Sequence, residues 1–282
     1  MKKHINPTSF SLTDGHWTLF LGTMLCIGIF FSCNKEVTTP NSTHQEATTS
    51  DTTPAPPDTI PTPYAYTFDR YTHTFAGQSL PYRVARIGDI RTGGARLVLY
   101  LHGGTSRGDD NEAQLLEPAV DSIATYLANQ LIPSVFVVPQ CPSGGNWDAP
   151  SMRNALRILI LSHIDSGYIN PSRIYILGGS MGGTGTWGIL SAYPRLFAAG
   201  MACAGNPSRA SADSIALTPV YTVMGTADNI MSIPTVETFL EQLDSLGATY
   251  RYDIEQGWSH QQTCIESYTT PRLNWVFSHQ NN

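Results

Sequence analysis

The sequence predicts an α/β fold: a mostly parallel central sheet with helices on both faces. Three observations carry this expectation. Apolar runs recur near 96–101, 134–139, 173–178, 198–204, 219–225 and 249–255. Helix-compatible stretches near 113–130, 151–166, 183–193, 235–246 and 268–277 alternate with them. Such alternation means parallel strands joined by helical crossovers. The run Ala95-Arg96-Leu97-Val98-Leu99-Tyr100-Leu101 is nearly continuous in apolar residues, as expected of a strand covered on both faces.

Along the chain, the first segment is 1–33. Met1-Lys2-Lys3 is followed by a polar stretch and then by the apolar run from Trp17 to Ser32, just before Cys33. Positive, then apolar, then small is the order of a secretory signal. The run is 16 residues long, a little short for a spanning helix. A small residue directly before cysteine points to a bacterial lipoprotein, with Cys33 lipidated after cleavage and the protein held at a membrane. A plain signal peptide or an uncleaved anchor are the alternatives, since Phe30 and Phe31 are bulky for a lipobox and the leader contains Asp14. Residues 34–63 are Thr, Ser, Pro, Asn, Gln and Glu with almost nothing apolar, a composition that cannot bury enough surface to fold. They read as a linker. Residues 64–282 then form one domain, large enough for one sizeable core. Tyr66 to Ile87 alternates around Gly77 like a hairpin.

The candidate chemistry centres on Ile176-Leu177-Gly178-Gly179-Ser180-Met181-Gly182-Gly183. A strand ends in glycines around one serine and a helix follows. In that context G-x-S-x-G is a nucleophile elbow, a turn that exposes the serine Oγ. Alone the motif is a weak signal in a chain with 24 glycines, and a plain Gly-rich turn is the bland alternative. A phosphate-cradling loop would want a lysine after the glycines, and none occurs after Lys35, so a base for Ser180 must be histidine. Partners stand in order downstream. The run Pro219 to Met224 ends in Gly225-Thr226-Ala227-Asp228, and an acid there can fix an imidazole tautomer. Otherwise Asp228 caps the helix that Pro234 helps to start. After the last strand, Gly257-Trp258-Ser259-His260 places a histidine on a loop able to reach back over the serine. His102, at the end of the first central strand, precedes the serine and reads as a residue fixing its loop. That loop can aim a backbone N–H at a developing oxyanion, with Met181 N–H as the second donor.

The set of segments resembles an α/β-hydrolase of the group called predicted peptidases or phospholipase/carboxylesterase-like proteins, similar to feruloyl and acetylxylan esterases and to polyhydroxyalkanoate depolymerases. The resemblance rests on Leu99 to Gly104 with Arg107 to Glu112, Val138 to Pro142 with Trp147, Asn170 to Tyr175 into the elbow, Trp187, Tyr193 to Ala199, Gly225 to Asp228, and His260. It covers about residues 66–279. It implies Ser180 as nucleophile, His260 as base, Asp228 as orienting acid, and the N–H groups of Met181 and of Gly104 or Thr105 as the oxyanion hole. This chain has Gly104-Thr105-Ser106 where the group more often has alanine and glycine, so the second donor is open between the two. The short stretch between the runs at 198–204 and 219–225 leaves no room for a large lid. That favours an open site and bulky, polymeric substrates.

The expected activity is hydrolysis of acyl esters, acetyl or feruloyl, on polysaccharide or related substrates. A serine peptidase is the first alternative. The second is a non-catalytic surface protein that binds glycan or peptide. Trp147 and Trp258 sit on loops at the catalytic end and are candidate substrate contacts. The net charge of −6, without a basic tract, argues against nucleic acid as a partner. No His or Cys spacing points to zinc, and no cofactor is expected. Of the cysteines Cys141, Cys203 and Cys264, the last two are candidates for a disulfide bracing the histidine loop.

Overall fold

The computed structural model of the chain describes residues 61–75 and 78–281. The expected leader, Cys33, nearly all of the expected 34–63 linker and the expected turn around Gly77 lie outside the described residues. Eight strands form one sheet: β1 (Phe68–Phe75), β2 (Gln78–Ile87), β3 (Ala95–Leu101), β4 (Ser134–Pro139), β5 (Ile169–Gly179), β6 (Ala199–Cys203), β7 (Val220–Gly225) and β8 (Tyr250–Glu255), in the order β1-β2-β4-β3-β5-β6-β7-β8. The β1–β2 hairpin pairs antiparallel and β2 runs antiparallel to β4, while every pairing from β4 through β3 and on to β8 is parallel.

The continuous apolar runs are explained by the two layers that cover the sheet. All seven residues of β3 are buried. Leu97, Leu99 and Leu101 face one core layer, with α2 (Pro150–Ile164), α3 (Met181–Ala192) and α5 (Ile233–Ser245). Val98 and Tyr100 face the other, with α1 (Pro118–Asn129) and α7 (Thr270–Phe277). Each fully buried Leu or Val contributes roughly 1.5–3 kcal/mol of transfer free energy, so the sheet is stabilised from both sides. The connection from β6 to β7 holds only the four-residue α4 (Ala212–Ile215) and no lid-sized insertion.

Two elements differ from the sequence expectation. The stretch near 113–130 is a 3₁₀ turn, Ala113–Leu116, and then α1, with Glu117 extended between them (φ −76°, ψ 123°). Pro118 causes the break: it lacks an N–H and pushes the preceding residue out of the helical region. The segment after β8 is a helix, α6 (His260–Glu266), where a loop was expected. Its start is written as a capping box, Ser259-x-x-Gln262, with side chains of both residues satisfying backbone N–H groups.

Candidate active site

The site is built where β3, β5 and β7 end and where α6 begins. Ser180 sits in the turn from β5 into α3 with φ 57° and ψ −119°, a left-handed backbone that costs a non-glycine residue of order 1–3 kcal/mol. The flanking glycines make this turn possible. A Cβ on Gly178 would run into the carbonyl of Gly182, and one on Gly182 would collide with the carbonyl of Leu101 at the end of β3. The serine backbone is then held between neighbours: its N–H donates to Cys203 O at 3.0 Å, and its carbonyl accepts from Thr184 N at 2.9 Å.

The Ser180 hydroxyl donates to His260 Nε2 at 2.7 Å, and His260 Nδ1–H donates to Asp228 Oδ2 at 2.8 Å. The Asp228 side chain is fully buried. Its second oxygen, Oδ1, accepts from the N–H groups of Ile230 (2.8 Å) and Met231 (2.9 Å), which leaves Oδ2 to the imidazole. The sequence offered the acid two roles, orienting an imidazole or capping the helix that Pro234 helps to start. The cap of α5 is Ser232, whose side chain accepts from Thr235 N. Asp228 orients the imidazole, and its Oδ1 closes the turn after β7. Its loop is knitted to the one before α6 by Ala227 N to Trp258 O (3.0 Å) and Gly257 N to Thr226 Oγ1 (2.7 Å).

After β3 the chain makes a tight 3₁₀ turn, Gly104–Ser106. His102 is buried at the strand end with both ring nitrogens engaged: Nδ1 with Gly103 O at 2.6 Å, and Nε2 accepting from Cys141 N at 2.9 Å. Burial lowers its pKa to about 4, so it stands neutral, tying the loop after β3 to that after β4. Arg107 adds a second tie, donating from Nε to Gly145 O at 2.6 Å.

Glu117 is a residue that the sequence reading missed. One of its oxygens accepts from Gly103 N–H (2.7 Å) and Ser106 Oγ (2.8 Å), and the other accepts from Tyr100 OH (2.7 Å). This one carboxylate therefore fixes the turn carrying Gly104 and Thr105. It also removes Gly103 N–H from the available donors. Gly104, Thr105 and Met181 open their helices, positions whose N–H groups have no intrahelical acceptor. The signal for Glu117 was local: an acid directly before a proline at a helix start, where a carboxylate suits the helix dipole.

A cleft of about 700 Å³ opens at Ser180 and His260, lined also by Gly103, Gly104, Thr105, Gln261, Cys264 and Ile265. Neither tryptophan proposed as a substrate contact lines it. Trp147 is 0% exposed: its Nε1 donates to His102 O at 2.9 Å and its Cβ lies against Gly185 of α3. The loop after β4 folds under the elbow helix rather than over the cleft. Trp258 is half-buried beneath the guanidinium of Arg272, 5.8 Å from the ring centroid, and braces the acid's loop. The expected Cys203–Cys264 bridge is also absent. Cys141, Cys203 and Cys264 are all free thiols, and α6 is held by its capping box instead. Burial pushes the Cys264 thiol well above its ordinary pKa, with Cys203 nearby adding to the shift. Among the described residues no cluster of three or more His, Cys, Asp or Glu could hold a metal.

Comparison with known proteins agrees with this architecture. A thermostable esterase superposes with a TM-score of 0.65 at 24% identity, over 76% of this chain and 63% of that one. The chain has the α/β-hydrolase fold. A feruloyl esterase module from Clostridium thermocellum, solved with sinapinate, matches at TM-score 0.61 and 16% identity, over 80% of this chain and 93% of that one. A puromycin-hydrolyzing peptidase of Mycobacterium tuberculosis matches at 0.60 and 15%, over 77% and 40%. The model of the prolyl oligopeptidase family matches residues 159–216, from α2 through the elbow to α4, and does not reach Asp228 or His260. None of the curated proteins is similar enough to count as a match.

Proposed function

We propose that this chain is a serine hydrolase of carboxylic esters working through an acyl-enzyme on Ser180. The observation that carries the reading is the unbroken hydrogen-bond line from Ser180 Oγ through both nitrogens of His260 to Asp228. Ser180 Oγ attacks the ester carbonyl carbon while its proton passes to His260 Nε2. Asp228 holds the Nδ1–H tautomer and stabilises the imidazolium. The tetrahedral oxyanion accepts from Met181 N–H, at the positive end of the twelve-residue α3, and from Gly104 or Thr105 N–H. His260 returns the proton to the departing alkoxide, which leaves as the alcohol. Water then repeats the cycle on the acyl-serine and releases the acid.

Acetyl or feruloyl esters on polysaccharide are the substrates that this reading favours. The connection between β6 and β7 carries no lid-sized insertion, which suits bulky substrates, and a feruloyl esterase module shares the fold. The signal-like leader and Cys33 support an exported, lipid-anchored protein, with the 34–63 linker as spacer. Metabolic labelling with an alkyne fatty acid that is lost in Cys33→Ala is the expected result for the anchor.

The deciding experiment measures p-nitrophenyl acetate, p-nitrophenyl butyrate and methyl ferulate hydrolysis, with fluorophosphonate labelling, beside Ser180→Ala. Turnover and labelling that both vanish in the variant are expected. A folded protein that neither turns over an ester nor labels sinks the reading. The prolyl oligopeptidase match favours one alternative, a serine peptidase. A peptide amide cleaved with higher kcat/KM than every ester would establish it instead.

A further inference from the structure

The described residues include seven exposed large hydrophobic side chains, and the two most exposed stand on the rim of the same cleft. Leu116 is 82% exposed and Ile230 is 66% exposed, whereas the next, Leu217 at 52%, lies before β7 at the opposite end of the sheet. A single exposed leucine is ordinary, but a pair flanking a reactive cleft is a surface waiting for an apolar partner. Both are held in place by the site itself. Ile230 donates its N–H to Asp228 Oδ1, and Leu116 ends the 3₁₀ turn directly before Glu117, which is bonded to the Gly103–Ser106 turn. The lining of the cleft also includes the apolar Ala113, Pro118 and Ile265. Its volume of about 700 Å³ is that of a pocket for a drug-sized ligand, and a two-carbon acyl group fills only a small part of it.

We infer that Leu116 and Ile230 are specificity residues that close on an apolar group of aromatic-ring or medium-chain size, carried on one side of the scissile ester. The inference rests on the esterase reading and deepens it: among the candidate esters it selects feruloyl-like or longer acyl groups, or apolar alcohols, over acetyl esters of sugars. A substrate small on both sides of the ester leaves the two side chains in water. A larger one covers both and removes their apolar surface from solvent, and roughly 50 Å² of such cover is worth about tenfold in binding.

The test uses four aliphatic and aromatic esters followed by acid release: methyl acetate, methyl octanoate, octyl acetate and methyl ferulate. Wild type is expected to prefer at least one of the larger three over methyl acetate by about thirtyfold or more in kcat/KM. Leu116→Ser and Ile230→Ser are each expected to lower that selectivity ratio by about tenfold, chiefly through KM, with a larger fall in the double variant. A wild-type ratio near one, or variants that keep the wild-type ratio, overturns the inference. A second readout does not need turnover. Ferulic or octanoic acid should bind the Ser180→Ala protein by calorimetry and bind about tenfold more weakly once Leu116 and Ile230 are serine. Equal affinity in the two proteins overturns the clamp even if Ser180 proves not to be the nucleophile. Absence of labelling and turnover with the acid still bound in a Leu116- and Ile230-dependent way overturns the esterase reading alone.

Discussion

The two arms of the site are held in place by different physics. Ser180 is positioned by sterics. Its turn is packed so tightly through Gly178, Gly182 and Gly183 that backbone meets backbone, and no side-chain hydrogen bond caps α3. His260 and Asp228 are positioned by polar contacts between loops: the Ser259–Gln262 capping box, the two N–H groups on Asp228 Oδ1, and the ties from Ala227 to Trp258 and from Gly257 to Thr226. The difference teaches where each arm is vulnerable. An error in the elbow has no room to relax and strikes the fold. An error in the polar arm leaves the fold standing and strikes the rate.

Four substitutions break or sharpen this contrast. Asp228→Asn is the largest in effect. The amide cannot hold the imidazole in the needed tautomer, and kcat should fall by about 10⁴ while the thermal midpoint stays near wild type. A fully active, folded variant would remove Asp228 from the mechanism. Gly182→Ala comes next and belongs to the other arm. Its methyl meets the Leu101 carbonyl, so chemical denaturation should show a loss of more than about 3 kcal/mol or no folded protein at all. A stable, active Gly182→Ala protein would end the steric account of the elbow.

Glu117→Gln tests whether the oxyanion turn belongs with the polar arm. The amide keeps the shape but cannot accept from both sides, so Tyr100 OH or the Gly103 turn loses its partner. A fall of about 10–100-fold in kcat with KM little changed is expected, because the proposed mechanism uses the turn in the transition state. An equal change in KM, or a lowered midpoint with kcat intact, would make Glu117 merely structural. Ser259→Ala is the smallest. Loss of the cap of α6 should cost about 1 kcal/mol by denaturation, with a modest fall in kcat as His260 loosens.

The contrast also explains what could be read from the sequence. The elbow announces itself because its constraint is local: glycines at fixed offsets around one serine, between a strand and a helix. The sheet was legible for a similar reason, since strands covered on both faces are written as unbroken apolar runs such as 96–101. The order of Ser180, Asp228 and His260 located three side chains that the fold brings within hydrogen-bonding distance, although each comes from a different strand end. The tryptophans were misplaced because burial of a loop residue depends on which way the loop folds. Trp147 turns inward because Gly185, far along the chain, leaves room for it. Glu117 escaped notice because its partners lie between 11 and 17 residues upstream, across a turn that no periodicity marks. The helix at His260 is written locally, since Ser259 and Gln262 spell a capping box, but at seven residues it is too short to show a helical period.

The left-handed backbone at Ser180 sets stability and activity against each other at one position. Glycine adopts φ 57° without penalty, so Ser180→Gly should raise the unfolding free energy by about 1 kcal/mol while removing the proposed nucleophile. A library varied at this position and screened only for survival at high temperature would enrich glycine and discard the proposed hydrolysis. Every functional copy of the chain therefore holds a residue that selection for heat resistance alone would replace.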